Sequence, residues 1–408
     1  MVQSRTFKIG VCGLGQFASS FVPLFQVHPG VSDVALVDVA PERLERGARH
    51  YGVDDTYASI EELCDSDVDA VAIFTPRWMH AEHAMMALEA SKHVFCAVPA
   101  AISVEDMSAL VKKVSDTGLT YMVAETAYYT PSTLYCRDRF RRGDIGHFVY
   151  GEGEYLHDMS HGFYEAYQRS GGPEWKRTAS FPPMFYPTHS VSMILSVTGA
   201  RMESVSCLGY VDREDDGVFD ADISMWDNNF SNETALFRTS DGGMCRVNEF
   251  RRVGWRGQLS SRMSMYGTKG SYEEQSNARV WNTLHLEDQA DLFQYLTSSK
   301  LSPGHHRRSG EFTPPVHEAM EEDFNAGYTP VHPVDRLPPE FAKLPNGHAG
   351  SHHFLVDDFA KAVNAGSLPP NNVWESARNC IPGIIAHESA LQGGVQLTIP
   401  DLGDPPAG

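Results

Sequence analysis

Apolar residues come in short continuous runs through the first third of the chain. Phe7-Lys8-Ile9-Gly10-Val11-Cys12, Val34-Ala35-Leu36-Val37, Asp69-Ala70-Val71-Ala72-Ile73-Phe74, His93 to Cys96 and Tyr121-Met122-Val123-Ala124 have the length and continuity of strands buried on both faces. Helical segments alternate with them: Ser19 to Val27, Ile60 to Cys64, His80 to Ala90 and Ser103 to Thr117, the last with Ser103 placed as N-cap and Asp106 at N3. Strand–helix alternation at this spacing predicts a parallel, doubly wound sheet. Ligands of such sheets gather at the carboxyl ends of the strands, which here are Asp38, Thr75-Pro76, Val98-Pro99 and Glu125.

The pattern changes after residue 126. A helix, Pro131 to Arg142, leads through Gly143-Asp144-Ile145-Gly146 into Phe148 to Asp158. Read as a strand, this segment puts Val149, Gly151, Gly153, Tyr155 and His157 on one face. Two glycines make a face that something can approach closely, beside a tyrosine and a histidine; the same face also reads as an ordinary surface strand. In MFYPTHSVSMILSVTG, Pro187 suits a first helical turn, apolar residues recur at Val191, Met193, Ile194 and Val197, and Gly199 suits the helix end. Tyr186 and His189 then meet at the helix start, where His189 also reads as a core histidine satisfied by a carbonyl. Strands are expected at Ser204 to Tyr210, Glu233 to Arg238, Gly243 to Glu249 and Met263 to Tyr266. A polar, Pro-rich excursion from Asp288 to Pro345 follows, then helices ending at Gly366 and spanning Trp374 to Leu391. The division this suggests is 1–126, 127–400 and a flexible tail, 401–408.

The first turn carries the clearest chemistry. Gly13-Leu14-Gly15-Gln16-Phe17-Ala18 follows a strand and opens a helix, the context a G-x-G-x-x-G/A loop requires. Gly13 permits the tight turn, Gly15 lets the backbone approach a pyrophosphate, and Ala18 allows close helix–strand packing. A helix amino terminus adds N–H donors for the anion. Asp38, at the end of the second strand, binds a ribose 2′-hydroxyl and repels a 2′-phosphate, so NAD is expected over NADP. Gln16 and Phe17 of the loop, Thr75, Pro76, His80, Val98, Pro99 and Glu125 complete the cofactor-side candidates. His80 and His83 read first as capping or solvated helix residues.

Composition narrows the partners. Across 408 residues the formal charge is −20, which leaves no basic stripe for nucleic acid. Against that background Arg251, Arg252, Arg256 and Arg262 cluster between two expected strands. Such a run is usually a solvated loop; the sharper reading is a wall for an anionic substrate, since guanidinium forks suit carboxylate, phosphate or sulfonate. Seven scattered cysteines with no CxxC suit reduced thiols, and the histidines show no metal-ligand spacing. No apolar segment precedes the first strand, so the expectation is a cytoplasmic protein with no membrane partner. A large open sheet face would invite pairing with a second copy, as a dimer or tetramer.

Taken together, the Gly13–Ala18 loop, Thr75-Pro76 with His80, the HVFCAVPAA turn and Gly267-Thr268-Lys269-Gly270 resemble the Gfo/Idh/MocA oxidoreductases over nearly the whole chain. The resemblance implies an N-terminal Rossmann domain and a C-terminal α/β domain with an open, mainly antiparallel sheet. Dehydrogenases of that family carry Glu-Lys-Pro where this chain reads Ala97-Val98-Pro99, and Asp-x-Gly-x-His where it reads Phe185-Tyr186-Pro187-Thr188-His189. The lysine and the aspartate are gone and the histidine stays.

The segments VPAA, Glu125-Thr126, EGEYLHD (Glu152 to Asp158), Trp175, YPTH (Tyr186 to His189) and Gly347-His348-Ala349-Gly350 look like the NAD-dependent glycoside hydrolases of family 109. That likeness implies a redox-neutral hydrolysis with NAD held tightly and recycled in each turnover. Its course is oxidation at carbon 3, loss of the carbon 2 proton, departure of the aglycone, addition of water and re-reduction. It falls outside the two-carboxylate scheme. Carried over, Tyr155 is the base at carbon 2, helped by His157 or the nicotinamide. His189 and Tyr186 handle the carbon 3 hydroxyl proton, and Glu125 orients substrate or ribose. Tyr129, Trp175, Arg177, Arg251, Arg252 and Arg256 are the further substrate-side candidates. The expected substrate is a small glycoside, an anionic one such as a sulfoquinovoside preferred over an N-acetylhexosaminide. The competing readings are a plain NAD-dependent sugar dehydrogenase with His189 as sole base and a non-catalytic sugar sensor.

Overall fold

The computed structural model of the chain describes residues 6–255, 260–297 and 327–406. The buried runs of the first third form β1 (Phe7–Cys12), β2 (Val31–Val37), β4 (Ala70–Ile73), β5 (His93–Cys96) and β6 (Tyr121–Val123); a two-residue strand the pattern did not mark, β3 (Thr56–Tyr57), joins the edge, giving the spatial order β3-β2-β1-β4-β5-β6. Every neighbouring pair is parallel. Strand order reverses between β1 and β4, and the connections leave to opposite faces there, which opens a crevice at the carboxyl ends.

The helices between these strands follow the sequence closely. Ser103 caps Val104–Thr117: its Oγ accepts the Asp106 N–H at 3.0 Å and donates to the Asp106 carboxylate at 2.7 Å. Two segments differ: a helix, Pro41–Tyr51, which buries only Gly47, was not expected, and the first helix is broken. A single helix is expected from Ser19, but a short 3-10 turn, Ala18–Ser20, is followed by a separate helix, Val22–Val27. Pro23 is the reason, because a helix begun at Ser19 would need its missing N–H; begun at Val22, it holds Pro23 in the first turn, where no N–H is needed.

The second sheet has nine strands. They are β7 (Phe148–Leu156), β8 (Met202–Val211), β9 (Phe230–Thr239), β10 (Met244–Phe250), β11 (Ser261–Gly267), β12 (Gly270–Gln275), β13 (Ala278–Thr283), β14 (Ala290–Asp291) and β15 (Leu397–Thr398), in the order β14-β13-β12-β11-β7-β10-β9-β8-β15. Only β7 and β10 run parallel; the other described pairs are antiparallel. The helix Thr188–Thr198 lies across β7. A Cβ on Gly153 would stand 2.1 Å from the Ser190 carbonyl oxygen, so what the glycine face admits is a helix backbone. That contact sets His189 beside Tyr155. The register puts Leu208, Tyr210, Leu236 and Met244, all exposed, on one face of the sheet.

Two late helices tie the halves together. His352–Ala365 returns to the first core, where Phe359 lies 5.3 Å from Phe95 and 5.9 Å from Phe7 between ring centroids. Phe354 and Leu355 are buried with Phe21 and Phe25 in the same cluster. Val373–Leu391 packs on both β8 and Val104–Thr117. The seven cysteines are buried free thiols. No helix of the described residues is long and apolar enough to cross a membrane.

Candidate active site

The crevice at the carboxyl ends continues into a cleft of about 1100 Å³ between the two sheets. Its first end is built by the glycine loop. Gly13 has φ +90°, and a Cβ there would meet the Phe74 carbonyl oxygen at 2.8 Å. Gly15 lines the cleft with nothing within 4 Å of the place its Cβ would take. Asp38 locks the loop to β2, accepting the Leu14 N–H and the Ala40 N–H at 2.9 Å each, with Arg43 at 3.1 Å. An open backbone approach beside Gly15 and a carboxylate at the end of β2 fit a dinucleotide: phosphates against the loop, ribose at Asp38. Gln16 and Phe17 line the same end, and Ala18 is buried behind the loop as its packing residue.

Thr75, Pro76 and Val98 line the middle of the cleft. The Val98–Pro99 bond is cis. His80 joins these turns from behind, its Nδ1 2.7 Å from the Pro99 carbonyl oxygen and its Nε2 2.8 Å from that of Thr75. Burial lowers its pKa to about 4, outweighing the two carbonyls, so its part is to fix both turns. Across the cleft, the turn His348-Ala349-Gly350 has three successive positive φ values, 45°, 54° and 95°. It brings the His348 ring within 5.4 Å of Phe17.

The far end gathers Tyr155, His157, Tyr186 and His189. Tyr155 comes from β7 and His189 from the first turn of the helix across it, with ring centroids 5.2 Å apart; Tyr186 is 5.9 Å from Tyr155 and 5.3 Å from His189. His157 Nε2 faces the His161 carbonyl oxygen at 3.3 Å and therefore carries the proton. Its Nδ1 accepts from the Tyr155 hydroxyl at 2.7 Å. Burial, then the charge of Arg251, lowers the His157 pKa to about 3. His157 is thus a neutral acceptor that orients the phenol and holds no cation beside it. Burial raises Tyr186 to about 12.

His189 runs the other way. Burial opposes its protonation, but Glu125, 2.6 Å from Nδ1, outweighs burial and raises its pKa. Glu125 is wholly buried and also accepts the Ala127 N–H at 2.7 Å. It does not line the cleft, which corrects the expectation that it touches substrate or ribose: it positions His189.

The arginine wall is corrected too. Arg251 is buried, donates to Glu249 at 2.9 Å, and lies 4.7 Å from the Tyr155 ring centroid. Arg252 binds Asp216 at 2.8 Å and Arg262 binds Glu154 at 2.9 Å. Arg256 lies outside the described residues. None of Arg251, Arg252 and Arg262 lines the cleft, because each is already taken by a carboxylate. Tyr129 is likewise a core residue, bonded to Asp358 and Arg336 and stacked on Phe354 at 5.0 Å. Trp175 packs on Tyr164 behind the site and Arg177 is exposed outside it. The residue the sequence reading passed over is Arg77, which stands in the cleft beside Tyr167 and Tyr186. It directly follows Thr75-Pro76, and its place at the carboxyl end of β4 was the signal.

Residues 7–125 match the Gfo/Idh/MocA oxidoreductase family, an NAD-binding Rossmann fold. A glycosyl hydrolase family 109 protein of Porphyromonas gingivalis is 24% identical over 98% of this chain and 85% of its own. One from Shewanella woodyi is 28% identical over 97% and 85%. Among solved structures, a levoglucosan dehydrogenase in complex with NADH and levoglucosan has a TM-score of 0.71 at 18% identity, over 97% of this chain and all of that one. An Agrobacterium radiobacter oxidoreductase in complex with NAD+, L-tartaric acid and magnesium also scores 0.71 at 16% identity, over 96% and 98%. These two show a shared fold.

Fold and site define a two-domain enzyme of the sugar oxidoreductase or NAD-dependent glycosidase class. Its residues 7–125 match the Gfo/Idh/MocA oxidoreductases, and over nearly its whole length the chain is similar to the family 109 glycosyl hydrolases.

Proposed function

We propose that this protein is an NAD-dependent glycoside hydrolase that oxidises its sugar transiently at carbon 3. One observation carries the reading. Two separate proton-handling pairs, Tyr155–His157 and His189–Glu125, converge at one end of the cleft, with the Tyr155 and His189 rings 5.2 Å apart. A dehydrogenase moves one proton, from the hydroxyl being oxidised. An elimination needs a second group to take a proton from carbon.

NAD, held by the Gly13–Ala18 loop and Asp38, would supply the acceptor, and later the donor, of the carbon 3 hydride. His189 takes the carbon 3 hydroxyl proton on Nε2, while Glu125 fixes Nδ1 and stabilises the imidazolium. Tyr155, as phenolate, takes the carbon 2 proton, which the neighbouring ketone acidifies. Arg251 over its ring stabilises that negative charge, the help expected of His157. The aglycone leaves from carbon 1 and water adds its hydroxyl there, the water's proton ending on the aglycone oxygen, while Tyr155 and His189 return their protons to carbon 2 and the carbon 3 oxygen. With Val98 where dehydrogenases of the family carry lysine, no cation at that turn competes for the hydroxyl.

The test is incubation with a panel of nitrophenyl glycosides, including N-acetylhexosaminides and a sulfoquinovoside, in heavy water, followed by NMR. Aglycone release with deuterium at carbon 2 and no net NADH is the expected result. Steady NADH from free sugars, with no aglycone released from any glycoside, would instead make the protein a dehydrogenase that uses His189 alone.

A further inference from the structure

We propose that Arg77 is an anion receptor: the sugar processed in this cleft carries an oxyanion, a carboxylate or a sulfonate, that its guanidinium binds. The inference rests on the glycosidase reading for its substrate class and on separate geometry for the receptor. Three arginines line the cleft among the described residues, and two are neutralised: Arg43 by Asp38 at 3.1 Å and Arg279 by Glu274 at 2.7 Å. No carboxylate among the described residues pairs with Arg77. Its Nη1 donates to the Tyr167 hydroxyl at 2.8 Å. Nε and Nη2 have no acceptor within the described protein, yet they are not among its buried unbonded atoms, so they open onto the cleft.

The guanidinium is held in place before any ligand arrives. Four rings surround it, with centroids at 4.5 Å for Tyr186, 5.4 Å for Phe163, 5.6 Å for Tyr167 and 5.7 Å for Phe181. Cation–π contacts orient a cation but leave its charge uncompensated. A partly desolvated cation without a counter-ion is costly, and an anionic ligand reverses that cost. Two adjacent open N–H groups present the edge that binds a carboxylate or sulfonate in bidentate fashion. In a chain of net charge −20 an anionic sugar also needs one local cation to be admitted. Placement puts this ligand beside the catalytic rings, Tyr186 being 5.9 Å from Tyr155. Arg77 lies among Phe163, Tyr167 and Tyr186 at the Tyr155 end, whereas the phosphate cradle is at Gly13 to Gly15.

Calorimetric titration of the NAD-loaded protein with glucose, glucuronate and 6-sulfonated glucose tests the proposal by binding alone. One of the two acids is expected to bind about 100-fold tighter than glucose, and which one tells carboxylate from sulfonate. Arg77→Met should bring acid and neutral sugar to near parity, Arg77→Lys should keep part of the preference, and NAD affinity should stay nearly unchanged in both. Parity in the wild-type protein overturns the proposal whatever the variants do, as does failure of both acids to bind. Persistence of the preference in Arg77→Met, or a loss of NAD affinity of the same size, overturns it equally. Acid preference without glycoside turnover would sink the glycosidase reading and leave the receptor standing; turnover of neutral glycosides without preference would do the reverse.

Discussion

His189 and His157 are almost equally buried, at 5% and 4% exposure, yet burial decides the protonation of only one. Glu125 raises the His189 pKa, while His157 has a phenol for a neighbour and falls to about 3. Protonated His189 cannot take a hydroxyl proton, so turnover should rise with pH through its pKa. Glu125→Gln removes the charge that raises that pKa, so the midpoint of the kcat/KM profile should move to lower pH, with a lower plateau as the ring loses its orientation. The pair's contribution to stability has the matching sign. It is complete below the ordinary histidine value of about 6.5 and fades as pH rises through the raised folded-state value. Tyr155→Phe should cost about 10²-fold or more in turnover with NAD affinity unchanged, measured by single-turnover kinetics and NAD titration. Tyr155 and His189 were legible in the sequence because a period-2 face and a helix start put them in view. Arg77 was not. An arginine after Thr-Pro looks like a solvated loop residue, and what makes it a cleft cation is a frame of rings from Phe163 to Tyr186, far along the chain.

Tyr155 and His189 meet because two elements meet. The helix Thr188–Thr198 approaches β7 so closely at Gly153 that no side chain fits between them. Gly153→Ala must push the helix outward, and overpacking of this kind costs about 1–3 kcal/mol. The expected result is a lower Tm together with a turnover loss larger than the stability loss accounts for, since His189 is displaced from Tyr155. The strands of the first sheet other than β3 could be read from sequence because they are buried on both faces, whereas β3 is two residues of which neither is buried. β12 and β13, GSYEEQ and ARVWNT, were missed because their buried positions include Gly270 and the ion pair Glu274–Arg279, so the buried faces do not read as apolar. The helix Phe163–Gly171, which supplies part of the frame around Arg77, buries only Phe163 and Tyr167 and leaves no periodic trace long enough to read.

The whole molecule should be labile to acid in a calculable way. His157 and His332 are neutral when folded, pushed down by burial to about 3 and about 4. The unfolded chain takes up those protons below about 6.5, so stability should fall as pH drops from there to the folded-state values. At about 1.4 kcal/mol per unit, His332 alone contributes a loss of about 3 kcal/mol by pH 4, and His157 somewhat more. Urea melts from pH 7 to pH 4 should show this decline, and His332→Phe should flatten part of it.

The return of His352–Ala365 to the first core also bears on how the protein is made. Phe7, Phe25 and Phe95 are translated early, but the ring they close on, Phe359, comes more than two hundred residues after the last strand of that sheet. On the ribosome the growing chain must therefore carry its NAD-binding part with an open apolar face until residues 352–365 have been made. A fragment of residues 1–126 produced alone should bind ANS and melt without a sharp transition, and adding a peptide spanning 347–366 should restore one. The cofactor pocket is specified by one stretch of the message and its core completed by another more than two hundred codons later, so a ribosome stalled anywhere between would release a client for chaperones.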